Sequence, residues 1–242
     1  MYGWRARLGL MTASGIIAPE SEYWLMAPEG VSCHFTKMPF TGGGTKDIIE
    51  ELKTAEKFLD EAVTLVADAR PSAIALVGTG ASFCGGYGYD QQLIQKMRSR
   101  IGNLPATTGA SSAIAALKKV GARKISLAMP YVEDVARVGR KFIEDNGIQV
   151  VNSKWLNHRD SFEIAQIPRE TIYNLAKEVD DPESDAVFIS CVALFVVEII
   201  ETLEHDLKKP VVTTNQAIMW NLLRMCNINE KIEGFGELLS KY

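Results

Sequence analysis

Cys191 is the residue whose type and setting most invite chemistry. It follows Ala186-Val-Phe-Ile-Ser190, a run with the character of a buried strand, and precedes an apolar pattern from 194 to 207 that reads as a helix. A thiol at the carboxyl end of a parallel strand stands where open α/β sheets bind ligands. A helix starting beside it would favour the thiolate. The competing reading is a structural cysteine, since free Cys is among the most buried residue types. A second loop offers complementary groups. Ala73-Ile-Ala-Leu-Val77 runs as a buried strand into Gly78-Thr79-Gly80-Ala-Ser82, rich in backbone amides and hydroxyls. It would converge with Ser190-Cys191-Val192, while Thr12, Ser14 and Tyr131 come from the ends of two further strands. Such amides and hydroxyls suit a carboxylate or an enediolate. With Cys191 as acid or base, they describe cofactor-free proton transfer at carbon.

Other chemistries lack their residues. There is no Walker A loop and no GxSxG elbow. Gly78-Thr-Gly80 is GxG only, with Phe83 where a third glycine would sit, which argues against a dinucleotide. No carboxylate cluster suggests a metal, and of His34, His158 and His205 only His34 neighbours a cysteine, Cys33, with no further ligand at metal spacing. Cys33, Cys84, Cys191 and Cys226 lie far apart without a CxxC pair, as in a reduced cytoplasm. Cys33 and Cys226 read as structural. Cys84 is expected in the core, with approach to the cleft as its alternative, and Ser82 reads as a helix cap. The net charge of −4 with no basic run argues against a nucleic-acid partner. The longest apolar stretch, 186–199, is broken by Ser190 and Glu198, so no bilayer span is expected. Residues 1–11 run into the first strand, so no signal peptide is expected. These features describe a cytoplasmic protein whose partner is a small carboxylic acid. It would be a monomer or homo-oligomer, and an apolar face at 199–207 would permit a dimer.

The elements that must position these residues alternate. Strands are expected at 7–11, 31–35, 73–77, 104–108, 124–129, 148–152, 186–190 and 211–213. Helices are expected at 47–69, 88–101, 111–120, 132–146, from 168, at 194–207 and from 215, with 16–30 irregular and 155–167 mixed. This is α/β patterning with parallel sheets flanked by helices. The order also repeats. Leu8-Gly-Leu10 matches Ile125-Ser-Leu127, an offset of 125 − 8 = 117, and Ile74-Ala-Leu-Val-Gly78 matches Val187-Phe-Ile-Ser-Cys191, an offset of 187 − 74 = 113. Two pseudo-symmetric Rossmann-like lobes follow, 1–115 and 116–225, with 226–242 as a tail or helix. The site lies in the cleft between them, with Gly78 and Cys191 on opposite walls. The loop 40–45 has the glycines for a lid.

These residues resemble the aspartate/glutamate racemase superfamily, and within it the branch of arylmalonate decarboxylase and maleate cis-trans isomerase. The resemblance runs from Leu8-Gly-Leu10 to the C-terminal helix. It is carried by Leu76-Val-Gly78-Thr-Gly-Ala-Ser82-Phe83, Pro130-Tyr131-Val-Glu-Asp134-Val and Ile189-Ser-Cys191. Racemases and maleate isomerase in this superfamily carry a cysteine on each wall. Here Gly78 takes the first position, the pattern of arylmalonate decarboxylase. The resemblance therefore implies cofactor-free loss of CO2 from an aryl- or alkylmalonate. Thr79, Tyr131 and the amides near Cys191 would hold the enediolate, with Gly78, Gly80, Val192 and Ser14 as further substrate-binding candidates, and Cys191 would protonate one face. Thr12, Lys46, Ser190 and Ile164 are further pocket candidates. Gly80 and Val192 depart from the decarboxylase, which has serine and glycine there, and Lys46 falls near an aromatic position of its pocket, which weakens the case for an aryl substrate; Lys46 reads first as a solvated lysine, with pairing to a more polar diacid as its alternative. The alternatives are an isomerase or racemase of a small dicarboxylic or amino acid, and a non-catalytic small-acid binder.

Overall fold

The computed structural model describes residues 2–39 and 47–242. Eight strands form two four-stranded parallel sheets. The first contains β1 (Ala6–Ala13), β2 (Val31–Met38), β3 (Ala73–Val77) and β4 (Ala106–Thr108), in the order β2-β1-β3-β4. The second contains β5 (Lys124–Tyr131), β6 (Gln149–His158), β7 (Ala186–Ile189) and β8 (Val211–Thr213), in the order β6-β5-β7-β8.

The two halves share more than strand order. Leu8 of β1 pairs with Ala73 of β3, and Ile125 of β5 pairs with Ala186 of β7. Those partners carry the offsets already present in the sequence, 125 − 8 = 117 and 186 − 73 = 113. The repeat is therefore a repeat of register, and it places Gly78 and Cys191 just past equivalent strands.

Strand burial explains the apolar runs. All five residues of β3 are buried. Ile74 and Leu76 pack with Met11, Leu59, Val63, Leu93 and Met97 on one face. Ala73, Ala75 and Val77 face a larger core continuous with Ile125, Leu127, Phe188 and Ile189 of the second sheet. A strand covered on both faces needs no polar alternation.

Short polar residues set the helix starts. Asp47 accepts from the Ile49 and Glu50 amides at 2.9 and 3.2 Å to open the Ile48–Lys53 helix. Thr108 opens Gly109–Lys119, and Thr213 with Gln216 forms a capping box on Thr214–Met225. Those two helices pack together, and Asn221 donates at 3.1 Å to both Thr107 Oγ1 and Ser112 Oγ.

Several expectations are corrected. The helix expected to begin at 194 begins later: a 3-10 turn spans Val197–Ile199 and the helix proper Ile200–Leu207. Residues 190–196 form a loop, with the apolar side chains Val192, Ala193, Leu194 and Val196 buried in the core as irregular chain. The 199–207 face is not an open apolar surface, since Ile200 and Leu203 are fully buried. The stretch 47–69 divides into Ile48–Lys53, a 3-10 turn Thr54–Phe58 and Leu59–Ala67. β6 runs on to His158 as an edge strand whose weak apolar alternation hid its length. Residues expected to be irregular contain a helix, Ala18–Met26, with Pro19 in its first turn and Glu20 beside it. A short helix, Glu237–Lys241, lies in the tail.

Candidate active site

The strand ends of both sheets open on one cavity of about 740 Å³ of empty space, its mouth included. Ala13, Met38 and Gly78 bring the ends of β1, β2 and β3 to it, and Tyr131, His158 and Cys191 those of β5, β6 and β7. Its apolar wall holds Ile16, Ile48, Leu52, Val132, Val135 and Ile164, and its size suits a small molecule.

The Cys191 thiol is buried, and burial pushes it up to about 11 from an ordinary 9.0. Opposing that rise, the Ala193 amide donates to Sγ at 3.3 Å, and hydrogen bonds from the Tyr131 hydroxyl and the Leu194 amide also favour the thiolate. The expectation of a thiolate at a helix N-terminus is thereby overturned, because no helix begins until Val197 and desolvation dominates. At neutral pH Cys191 carries its proton. That is the state of an acid.

Tyr131 joins the two walls. Its hydroxyl engages Cys191 Sγ, and Thr79 and Ser190 also lie within its hydrogen-bonding environment. Burial and the neighbouring thiol hold the Tyr131 hydroxyl well above its ordinary value, so it remains a donor. The ring is fixed edge-on against Phe83, with centroids 6.1 Å apart. Thr79 Oγ1 is close enough to favour the Tyr131 phenolate, yet it meets no partner at full hydrogen-bond geometry. A buried hydroxyl in that state is a ready donor for a bound oxygen.

Gly78 leaves its wall bare. Its φ of −166° is extended backbone that any residue adopts. A Cβ there would touch only Ala81 Cβ, at 3.3 Å. Glycine is thus required neither by the backbone nor by crowding. Thr79, Gly80 and Ala81 begin a short helix whose first amides have no acceptor within it, and all three line the cavity. Ser82 locks that turn: its hydroxyl donates to Gly78 O at 2.6 Å and accepts from the Ala110 amide at 2.9 Å.

Of the residues singled out in the sequence, Gly78, Thr79, Gly80, Tyr131, Ile164, Cys191 and Val192 meet at the cavity. Ser190 is buried behind it, against Tyr131. Thr12 is not among the lining residues, and its hydroxyl donates to Val77 O at 3.0 Å. Ser14 is exposed and off the cavity wall. Lys46 and the loop 40–45 lie outside the described residues. Cys84 is buried off the cavity with its thiol pushed up to about 12. Among the described residues no group of three or more His, Cys, Asp or Glu could hold a metal ion.

Three residues were missed. His158, the last residue of β6, and Arg159 after it line the cavity, whereas the sequence ends that strand at 152. Arg159 donates at 3.1 Å to Glu51, a fully buried carboxylate brought from the Ile48–Lys53 helix. Glu22 sits beneath the Cys191 loop. The sequence Ala18-Pro19-Glu20, a proline and an acid opening a helix, is the signal that would have found its element.

Two four-stranded parallel sheets whose strand ends direct a thiol and a set of hydrogen-bond donors into one cleft define a two-sheet α/β class with its cavity between the sheets. The family model for arylmalonate decarboxylase matches residues 40–239, and the chain belongs to that family. It is 26% identical to a maleate isomerase of Geobacillus stearothermophilus over 196 residues, 79% of this chain and 78% of that one. It is 27% identical to the arylmalonate decarboxylase of Bordetella bronchiseptica over 173 residues, 70% and 72% of the two chains. The fold is shared with a cysteine-to-serine mutant of Nocardia farcinica maleate cis-trans isomerase bearing a covalently bound succinylcysteine intermediate (TM-score 0.90, 23% identity, 98% of both chains). It is shared also with a liganded arylmalonate decarboxylase mutant in which a glycine became cysteine and a cysteine became serine (TM-score 0.86, 21% identity, 98% and 99% of the chains).

Proposed function

We propose that this protein is a cofactor-free decarboxylase of a malonate-type diacid carrying an apolar substituent, with Cys191 as the proton donor. One observation carries the reading: the wall opposite Cys191 holds Gly78, so the cleft has one thiol, and that thiol is protonated at neutral pH. The apolar wall of Ile16, Ile48, Leu52, Val135 and Ile164 would receive the substituent and desolvate one carboxylate. The bond from the α-carbon to that carboxylate breaks, CO2 leaves, and the electron pair passes into an enediolate. Thr79, Tyr131 and the amides at Thr79 to Ala81 and Val192 hold its oxygens. The Cys191 S–H proton goes to the α-carbon from one face, and water reprotonates the thiolate.

A second reading has its own support, because the relatives of known activity include maleate isomerases as well as the decarboxylase. Isomerisation would require Cys191 to add to a double bond as thiolate. The Nocardia enzyme, with one cysteine already changed to serine, still holds succinylcysteine and so has another reactive cysteine. Gly78 leaves this cleft without that second thiol.

Proton NMR in D2O of wild type and Cys191→Ala, with a panel of disubstituted malonates, tests the proposal. Release of CO2 with one enantiomer of singly deuterated acid, absent in the variant, supports it. Inertness toward every malonate with conversion of maleate to fumarate replaces it with the isomerase reading. Saturable binding without turnover of either, undiminished in the variant, would make the protein a binder.

A further inference from the structure

We propose that Glu22 is the positioning residue of the Cys191 loop. Its carboxylate comes from the Ala18–Met26 helix, beside the first sheet, and all its partners belong to the chain after β7. Oε1 accepts from the Val196 and Val197 amides, the latter at 2.9 Å. Oε2 accepts from Asn215 Nδ2 at 2.6 Å, and the same Nδ2 donates to Val192 O at 3.0 Å. Both partners of that amide are acceptors, so its nitrogen must face them. Glu22 therefore grips the loop directly at 196–197 and through Asn215 at the residue after Cys191.

The grip depends on the proton. A carboxylate accepts from all three donors. A protonated Oε2, or the Nε2 of a glutamine, is itself a donor facing the Asn215 donor. To restore a bond Asn215 must turn its Oδ1, which has no partner, toward residue 22, and the link to Val192 O is lost. Burial raises Glu22 to about 7, so this exchange falls near neutral pH. The titratable groups set against it are Arg169, which favours the carboxylate, Cys191 on the loop, and Tyr23 beside it, with Cys33 of β2 next to Tyr23. The Glu22 charge also holds the Cys191 thiol up, so ionisation fixes the loop and keeps the proton on sulfur together.

The full chain tests this without reference to turnover, so the decarboxylase reading can fail separately. The Val196 and Val197 amide resonances and the Asn215 side-chain amide are followed by nitrogen-15 NMR from about pH 5 to about pH 9. They are expected to titrate with one midpoint near 7 in wild type and to stay flat in Glu22→Gln. Cys191 alkylation by iodoacetamide at pH 8, read by peptide mass, is expected to be several-fold faster in Glu22→Gln and in Asn215→Ala, with Cys226 as internal reference. Asn215→Ala should keep the Val196 and Val197 titration. Flat wild-type resonances overturn the proposal, as does unchanged Cys191 alkylation in the folded variants. If Glu22→Gln does not fold, the wild-type titration and Asn215→Ala decide.

Discussion

At Cys191 two influences compete and burial wins, which leaves a thiol that holds its proton until about pH 11. The protonated form is the acid. Turnover should therefore be flat on the alkaline side up to that region and fall as pH rises through it, which a kcat/KM profile would show. Tyr131→Phe removes the donor to Sγ and one oxygen-binding group, and a loss of about 10²-fold in kcat is expected. Gly78→Cys fits the space above Ala81 and places a second thiol on the opposite wall. It should introduce exchange of the product's α-hydrogen with D2O and erode enantiomeric purity, which chiral chromatography would detect. The position of Cys191 and Gly78 was legible because each ends an apolar strand of the repeat. The protonation state of Cys191 was not, because Val192, Ala193, Leu194 and Val196 look helical by composition but serve as buried loop.

At the scale of elements, the decisive contacts are made by segments with little apolar periodicity. The Ala18–Met26 helix carries Pro19 in its first turn and ends before Pro28, and its signal is that proline and Glu20 rather than a stripe. β6 alternates poorly because it is an edge strand, so the sequence shows 155–167 only as mixed structure and hides the place of His158 and Arg159. The first sheet, by contrast, was legible from β3, whose two covered faces demand an uninterrupted apolar run. Glu22 supplies a stability test. Its folded-state value is raised from 4.5 to about 7, so the folded form prefers the proton. That contribution is complete below 4.5 and is lost as pH rises through about 7. Urea titrations should show wild-type stability declining across this window and a shallower decline in Glu22→Gln. Gly109 allows the Gly109–Lys119 helix to start 3.1 Å from Thr79 N, as measured from a Cβ placed there. Gly109→Ala should cost about 1–3 kcal/mol by overpacking, visible as a lowered urea midpoint, and should weaken substrate binding through Thr79.

At the scale of the whole molecule, neither sheet makes the cleft alone. Arg159 reaches from β6 to Glu51, Glu22 to the loop after β7, and Asn221 to Thr107 of β4. Arg159→Ala leaves Glu51 buried with a partner removed, and a loss of about 1–3 kcal/mol is expected, below the fully buried case because Arg159 is partly exposed. The two-sheet architecture was evident from alternation and repeat alone. The ties between sheets were not, since each joins residues about a hundred or more positions apart with no pattern relating them.

Glu22 is synthesised 174 positions before Val196 and 193 before Asn215. Contacts of such separation close late in folding. Synthesis runs from the first sheet to the second, so the carboxylate is in place long before the loop that it grips exists. The wall of the cavity is thus completed late: the full set of hydrogen bonds by which Glu22 holds the Cys191 loop exists only in a molecule in which β8 and the helix after it have docked.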